Sequence, residues 1–197
     1  ASPAIWTVGL PGSGADFASI QAAVNAASDG DTVQVFTGFY FENIIVDKSL
    51  NIYGAGANVT AVIASSPYQD VFKIVANYVN LTGFKIRAAT NAAGLHLNLA
   101  NNTNLANNLI EDNQNGIRFD GSSNNTISEN NLKNNNNYNV YLASYSNNNS
   151  FSANTISGNG VRLDSSSNNN FSVNSLSCLV LLYFSSYNNS FSGNNIS

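Results

Sequence analysis

A chain of 197 residues with 43% hydrophobic content has room for one domain with a core, yet only 9% of its residues are charged, so amides and hydroxyls rather than ions must keep it soluble. The formal net charge of −4 and the absence of a basic run argue against a nucleic-acid partner, and no apolar stretch approaches the roughly 18–20 residues of a membrane span. One Cys, one His and no Met leave nothing for an internal disulfide or a structural zinc site, and no cofactor is expected.

The opening "ASPAIW", small residues without an initiator Met, reads as a mature product after removal of an export signal. In "GADFASIQAAVNAASDGD" (14–31), Phe17, Ile20, Val24 and Ala27 fall at helical spacing, with Asp16 as N-cap and Gly30 as stop. Strands then follow at 32–36 ("TVQVF"), 43–46 ("NIIV"), 50–54 ("LNIYG") and 60–64 ("TAVIA"). A helix laid over the first coil would protect its open edge from pairing. Residues 1–66 therefore read as an N-terminal cap with helix and first coils, and 67–197 as Asn-rich coils continuous with it in one domain.

Beyond residue 66 the chain repeats. Asn-rich turns are followed by Leu81, Leu105, Ile127, Phe151, Phe171 and Phe191, at steps of 24, 22, 24, 20 and 20. Three residues later stands Asn108, Asn130, Asn154, Asn174 or Asn194, and the first copy has Phe84. Five residues later comes Ile86, Ile110, Leu132, Ile156, Leu176 or Ile196. A pair two apart closes each unit: Leu95/Leu97, Ile117/Phe119, Val140/Leu142, Val161/Leu163 and Leu182/Phe184. Period two puts both members of a pair on one face of a strand, so each unit of about 22 residues is three short strands between polar turns. Stacked in parallel about 4.8 Å apart, the units bury one continuous apolar column. The fold expected is all-β: a parallel β-helix with three strands per coil and a short capping α-helix. Asn at the third place suits a left-handed turn, and stacked copies can exchange amide hydrogen bonds.

The segment 16–63, with its helix, "GDTV" strand and "GFYFE" turn, resembles the opening of pectin-lyase-like right-handed β-helix proteins. The "NNTIS…NN" coils resemble the β-helix repeats of methanogen surface proteins and of NosD-type periplasmic proteins. The resemblance implies a right-handed helix and a wall or envelope role; since the superfamily also holds lyases and hydrolases, fold alone does not decide activity. A NosD-like copper role is not expected, because Met is absent and His96 stands alone. Glu42 matches the family's turn glutamate and is expected to bond the turn or Lys48.

Between the inward pairs lie His96, Arg118, Tyr141, Arg162 and Tyr183, at steps of 22, 23, 21 and 21, and two residues on lie Asn98, Asp120, Ala143, Asp164 and Ser185. Arg118 can thus pair with Asp120, and Arg162 with Asp164. Three readings stay open: a sugar-binding strip, lateral contact with a neighbouring copy, and a cross-coil ladder of ion pairs and cation–π contacts, the last favoured because exposed pairs usually do little else. No two carboxylates align at successive levels, so neither a calcium site nor an acid/base pair is expected. Glu111, Asp112, Glu129 and Lys133 can approach at a neighbouring turn.

Eight Asn-x-Ser/Thr sequons, at Asn58, Asn80, Asn101, Asn124, Asn148, Asn170, Asn188 and Asn195, are about what 37 Asn produce by chance; six of them recur once per coil. The run "CLVLLYF" (178–184) breaks the polar pattern, and partner contact there involves Cys178, Leu179, Val180 and Leu181. "SSYNNSFSGNNIS" (185–197) supplies Phe191, Asn194 and Ile196 but no third strand, leaving an edge to be completed by another subunit unless the chain was cut. The expectation is a secreted, non-enzymatic structural protein of a surface layer or sheath, at the cell surface or in the cell wall. Its partners would be copies of itself, with other envelope proteins or glycans; the alternatives are a polysaccharide lyase or hydrolase and a glycan-binding adhesin module.

Overall fold

The computed structural model describes residues 2–197. It is a right-handed parallel β-helix with one short helix at its N-terminal end. The first face is a nine-stranded parallel sheet that runs unbroken from Ile5–Val8 through Thr32–Val35, Asn51–Gly54 and Asn80–Thr82 to Ser190–Ser192. The second face starts at Gly38–Phe41 and Thr60–Ile63, and the third at Ile44–Val46 and Phe72–Ile74. Thr155–Asp164 and Ser175–Tyr183 turn the corner between the second and third faces without a break, joining both into one sheet.

The core follows from the pattern of single apolar residues flanked by small polar ones. In Asn104–Ala106 and its stacked equivalents the middle residue points inward, so Leu81, Leu105, Ile127, Phe151 and Phe171 form a fully buried column. Phe171 lies flat between Phe151 and Phe191, with ring centroids 4.3 and 4.7 Å away. Each such side chain contributes about 1.5–3 kcal/mol by leaving water.

At the corners the buried amides carry the stacking. Asn130 donates its backbone N–H and its Nδ2 to Asn154 Oδ1, and Asn154 does the same to Asn174. Each Nδ2 also reaches the carbonyl of the apolar residue one coil below, Leu105 and Ile127 respectively. A second ladder runs through Asn125, Asn149, Asn169 and Asn189, and a third joins Asn113 to Asn135. Apart from the half-buried Asn189, these carboxamides are hydrogen-bonded although nearly inaccessible, which removes the penalty of burying them. The left-handed conformation is not theirs, contrary to the expectation from the repeat. It belongs to the residue just before: Gly83, Asn107, Glu129, Ala153, Val173 and Gly193 all have positive φ. The ladder Asn is chosen for its inward amide, and at Asn107, Glu129, Ala153 and Val173 the left-handed strain falls on an exposed neighbour.

The helix is Ile20–Ala26, shorter than its periodicity suggests. Its N-cap is Ser19, not Asp16, which instead accepts from the Thr7 N–H and hydroxyl. Glu42 places its two carboxylate oxygens on the N–H groups of Ile20 and Gln21, at 2.8 and 2.9 Å. That contact adds anionic capping to the helix start. Lys48, expected as a partner for Glu42, donates to the Val24 and Asn25 carbonyls at the other end.

Candidate functional site: the polar ladder of the third face

Third-face strands present alternate residues outward, and their register stacks Lys73, His96, Arg118, Tyr141, Arg162 and Leu181 in one column. Asn98, Asp120 and Ala143 stack beside it. Tyr183 is not in the arginine column: it pairs with Asp164, and the inward residues of its strand are Val180 and Leu182 rather than Leu182 and Phe184. The register slips by one residue between Gly158 and Val161, and Arg162 stacks on Leu181 rather than on Tyr183. Phe184 is left at an exposed left-handed corner.

The outward groups close on one another from coil to coil. His96 Nδ1 lies 2.8 Å from Asp70 Oδ2, and Nε2 lies 2.8 Å from Asp120 Oδ2. Asp120 Oδ2 also accepts from Arg118 Nε at 2.8 Å. Two coils beyond Asp120, Asp164 accepts from Tyr141 Oη at 2.9 Å and pairs with Arg162, whose Nη1 donates to Tyr138 Oη. The Arg162 guanidinium stacks 4.6 Å from the Tyr183 ring and also faces Tyr138 and Tyr141, and Arg118 lies over Tyr141. Burial pushes the Asp70 carboxyl up, but hydrogen bonds from His96 and the Ala93 N–H, with the charges of His96 and Lys73, more than reverse this and hold it below the usual range. Burial and the bond to Asp164 push the Tyr141 hydroxyl up, and the Asp164 and Tyr138 bonds push Arg162 up.

Asp70, Lys73 and Tyr138 join this cluster although the aligned repeats did not include them. "FKI" at 72–74 carries the same apolar–x–apolar signature as Leu95–Leu97 and could have revealed Lys73. Asp70 sits at the end of a connecting segment, and no spacing rule reaches it. Beside Asp70, a hollow of about 350 Å³ is lined by Asn43, Ile45, Tyr68, Gln69, Asp70 and Lys73. On the second face Glu111 bonds Lys85 at 2.7 Å and faces Lys133 at 3.6 Å, and Arg87 pairs with Asp112; Glu129 sits at a left-handed corner. Burial pushes Glu111 up, but Lys85, Lys133 and Arg87 outweigh it and lower the group.

Of the apolar run, Leu179 is 72% exposed, whereas Val180, Leu181 and Cys178 are half-buried. Burial pushes the Cys178 thiol up, away from the reactive thiolate. Phe191 packs on Phe171, and Ile196 is exposed. General acid–base chemistry requires an ionisable group with a free lone pair or proton facing substrate. In the ladder Asp120 and Asp164 are each shared between two donors, and Asp70 holds His96 and Ala93. The geometry joins coils.

The same architecture occurs in solved polysaccharide-active proteins. An alginate lyase from Paenibacillus sp. strain FPU-7 superposes with a TM-score of 0.65 at 17% identity, covering 94% of this chain and 75% of the other. The pectate lyase Pel9A gives 0.64 at 16% identity over 92% of this chain and 62% of its own. A pectin methylesterase in complex with a hexasaccharide gives 0.58 at 14% over 92% and 68%. At such identities the likeness is one of fold. No curated protein matches the sequence.

Residues 24–197 match the model of a family described as periplasmic copper-binding protein (NosD). Copper favours thiolate, thioether and imidazole donors. This chain has one His, one Cys and no Met, and both ring nitrogens of His96 face carboxylates on opposite edges of the imidazole, so the three groups cannot converge on an ion. Among the described residues no three His, Cys, Asp or Glu side chains are grouped for a metal. The residues present do not fit a copper centre. The match nevertheless spans nearly all of the coil-forming sequence, and the chain belongs to the NosD family of parallel β-helix proteins.

Proposed function

We propose that the chain is a structural β-helix of a cell envelope, a subunit of a surface layer or sheath that works outside the cytoplasm and packs side by side with copies of itself. The observation that carries this reading is the coil-to-coil bonding of the third face, where Asp70, His96, Asp120, Arg118, Tyr141, Asp164 and Arg162 bond one another. Such a face ties successive coils into a rod. The low charge and the outward Leu179, Leu181 and Tyr183 support lateral packing. The periplasmic description of the family supports a place outside the cytoplasm.

Negative-stain microscopy and sedimentation of native material test the reading. Filaments, hoops or sheets are expected. Monodisperse rods at high concentration, together with cleavage of uronate or neutral glycans that Arg118→Ala or Arg162→Ala abolishes, would establish a polysaccharide lyase or hydrolase instead.

The hollow beside Asp70 favours a second reading, a glycan-binding adhesin module. Tyr68 offers an exposed ring and Lys73 a cation at the head of the strip. Specific capture of a glycan by a chain that stays monomeric would select this reading over the first.

A further inference from the structure

The corner between the third and first faces carries two columns of asparagine side by side. Asn125, Asn149, Asn169 and Asn189 turn inward and build the ladder described above. The residues just before them, Asn124, Asn148, Asn168 and Asn188, all have positive φ, between 55° and 60°. Their backbone bonds, Asn124 N to the Asn147 carbonyl, Asn148 N to Ser167 and Asn168 N to Tyr187, put them on consecutive levels. The side chains of Asn124, Asn148 and Asn188 are exposed and make no hydrogen bond. Asn is tolerated in the left-handed region, so these residues fit the turn while their amides stay free.

Three of the four begin a sequon: Asn124 with Thr126, Asn148 with Ser150 and Asn188 with Ser190. In each the hydroxyl residue opens a first-face strand and points outward. The remaining sequons differ. Asn80 spends its Nδ2 on Asn51, and Asn101 accepts from the Ser123 N–H and is followed by the buried Thr103. Asn58 is exposed, but the Thr60 hydroxyl is buried between the Ala55 N–H and the Phe36 carbonyl. Asn170 and Asn195 lie within strands.

We propose that this corner is an N-glycan acceptor stripe, modified at Asn124 or Asn148 and, independently, at Asn188. The reaction is attack of the side-chain amide nitrogen on the anomeric carbon of a lipid-pyrophosphate-linked oligosaccharide. The new C–N bond replaces the C–O bond to phosphate, the lipid pyrophosphate leaves, and the amide gives up one proton. Spacing sets the pattern. Adjacent levels are about 4.8 Å apart, too close for two branched glycans, whereas Asn188 lies two levels beyond Asn148. In nature the modification needs a chain outside the cytoplasm and so rests on the reading above.

The test is the full chain secreted by an N-glycosylating host cell and analysed by glycopeptide mapping and intact mass. Because the host imposes export, failure here is separate from failure of the envelope reading, which microscopy of native material decides. Glycan at Asn188 and at either Asn124 or Asn148, never both on one molecule, with Asn80 and Asn101 empty, supports the proposal. No glycan on the corner, both Asn124 and Asn148 occupied on one chain, or equal occupancy at Asn80 or Asn101 would overturn it. Asn170→Thr makes Asn168 an acceptor between the other two levels and should lower occupancy at both Asn148 and Asn188. Unchanged occupancy at those two sites with Asn168 filled would also count against the spacing rule.

Discussion

His96 bridges Asp70 and Asp120, with 2.8 Å between each ring nitrogen and its carboxylate oxygen, so one imidazole ties together side chains from three successive turns. Each ring nitrogen faces one carboxylate oxygen, so the ring serves both neighbours at once. Replacing His96 by Gln leaves at least one carboxylate short of a donor. A loss of about 1–3 kcal/mol in urea unfolding is expected, the cost of an unsatisfied, mostly buried acceptor. A change below about 0.5 kcal/mol would show that water replaces the ring at no cost.

Acid should loosen this region and the Glu111 cluster of the second face. Asp70 and Glu111 have folded-state values below their ordinary ones. Their contribution is complete above the unfolded carboxylate range, near pH 4, and is lost as pH falls through the lower folded values. Unfolding free energy should therefore be flat from neutral pH to about pH 5 and decline below about pH 4. Asp70→Asn should flatten part of that decline, and an acid limb identical to the wild type's would exclude Asp70 as a contributor.

Arg162 joins the aromatic and acidic parts of the ladder. Its truncation to Ala should cost about 1–2 kcal/mol, and Lys should recover less than half, since it keeps charge but not the planar stacking on Tyr183. A double-mutant cycle with Asp164→Ala should return a coupling of about 0.5–1.5 kcal/mol. Full rescue by Lys would reduce the contact to simple charge pairing.

Inner and outer asparagines should respond in opposite ways. Asn130→Ala removes the acceptor for two Asn108 donors and the donor to the Leu105 carbonyl, all buried, and is expected to cost about 3 kcal/mol or more. Asn131→Ala, one residue on and facing solvent, should stay within about 0.5 kcal/mol. Thermal melts of the pair, run side by side, give the comparison.

Phe171→Ala opens a hole between two stacked rings and should destabilise by about 3–5 kcal/mol, whereas Phe171→Leu should lose much less. Calorimetry of both variants separates packing in this column from loss of the coil as a whole.

The periodic parts of the molecule were readable because one apolar residue per short strand recurs at nearly constant spacing. Leu105, Ile127, Phe151 and Phe171 stand where that spacing puts them. Where the spacing changes, reading fails. The bulge at Gly158–Val161 shifts Tyr183 into the aspartate column, and the connecting segment before Phe72 hides Asp70, whose position depends on Asn43 binding the backbone of Ser66, Gln69 and Asp70. Gly38–Phe41, expected as part of a turn, is a strand, and Ile5–Val8 is a strand too short and isolated to carry a periodic signal. Which of two neighbouring asparagines faces inward is likewise set by backbone conformation, and composition is blind to it.

Every rung of the buried amide ladder donates toward one end and accepts from the other, and each rung is chemically the same. The molecule is therefore quantised in length. Excising residues 150–169, one full circuit between Ser150 and its partner Asn170, would rejoin Asn149 to an equivalent strand and leave an intact, shorter rod. Removing a single residue from the same stretch would displace every later amide from its acceptor. Growth and loss by whole circuits is the kind of length change such a chain can survive, which makes rod length freely variable in steps while its cross-section stays constant.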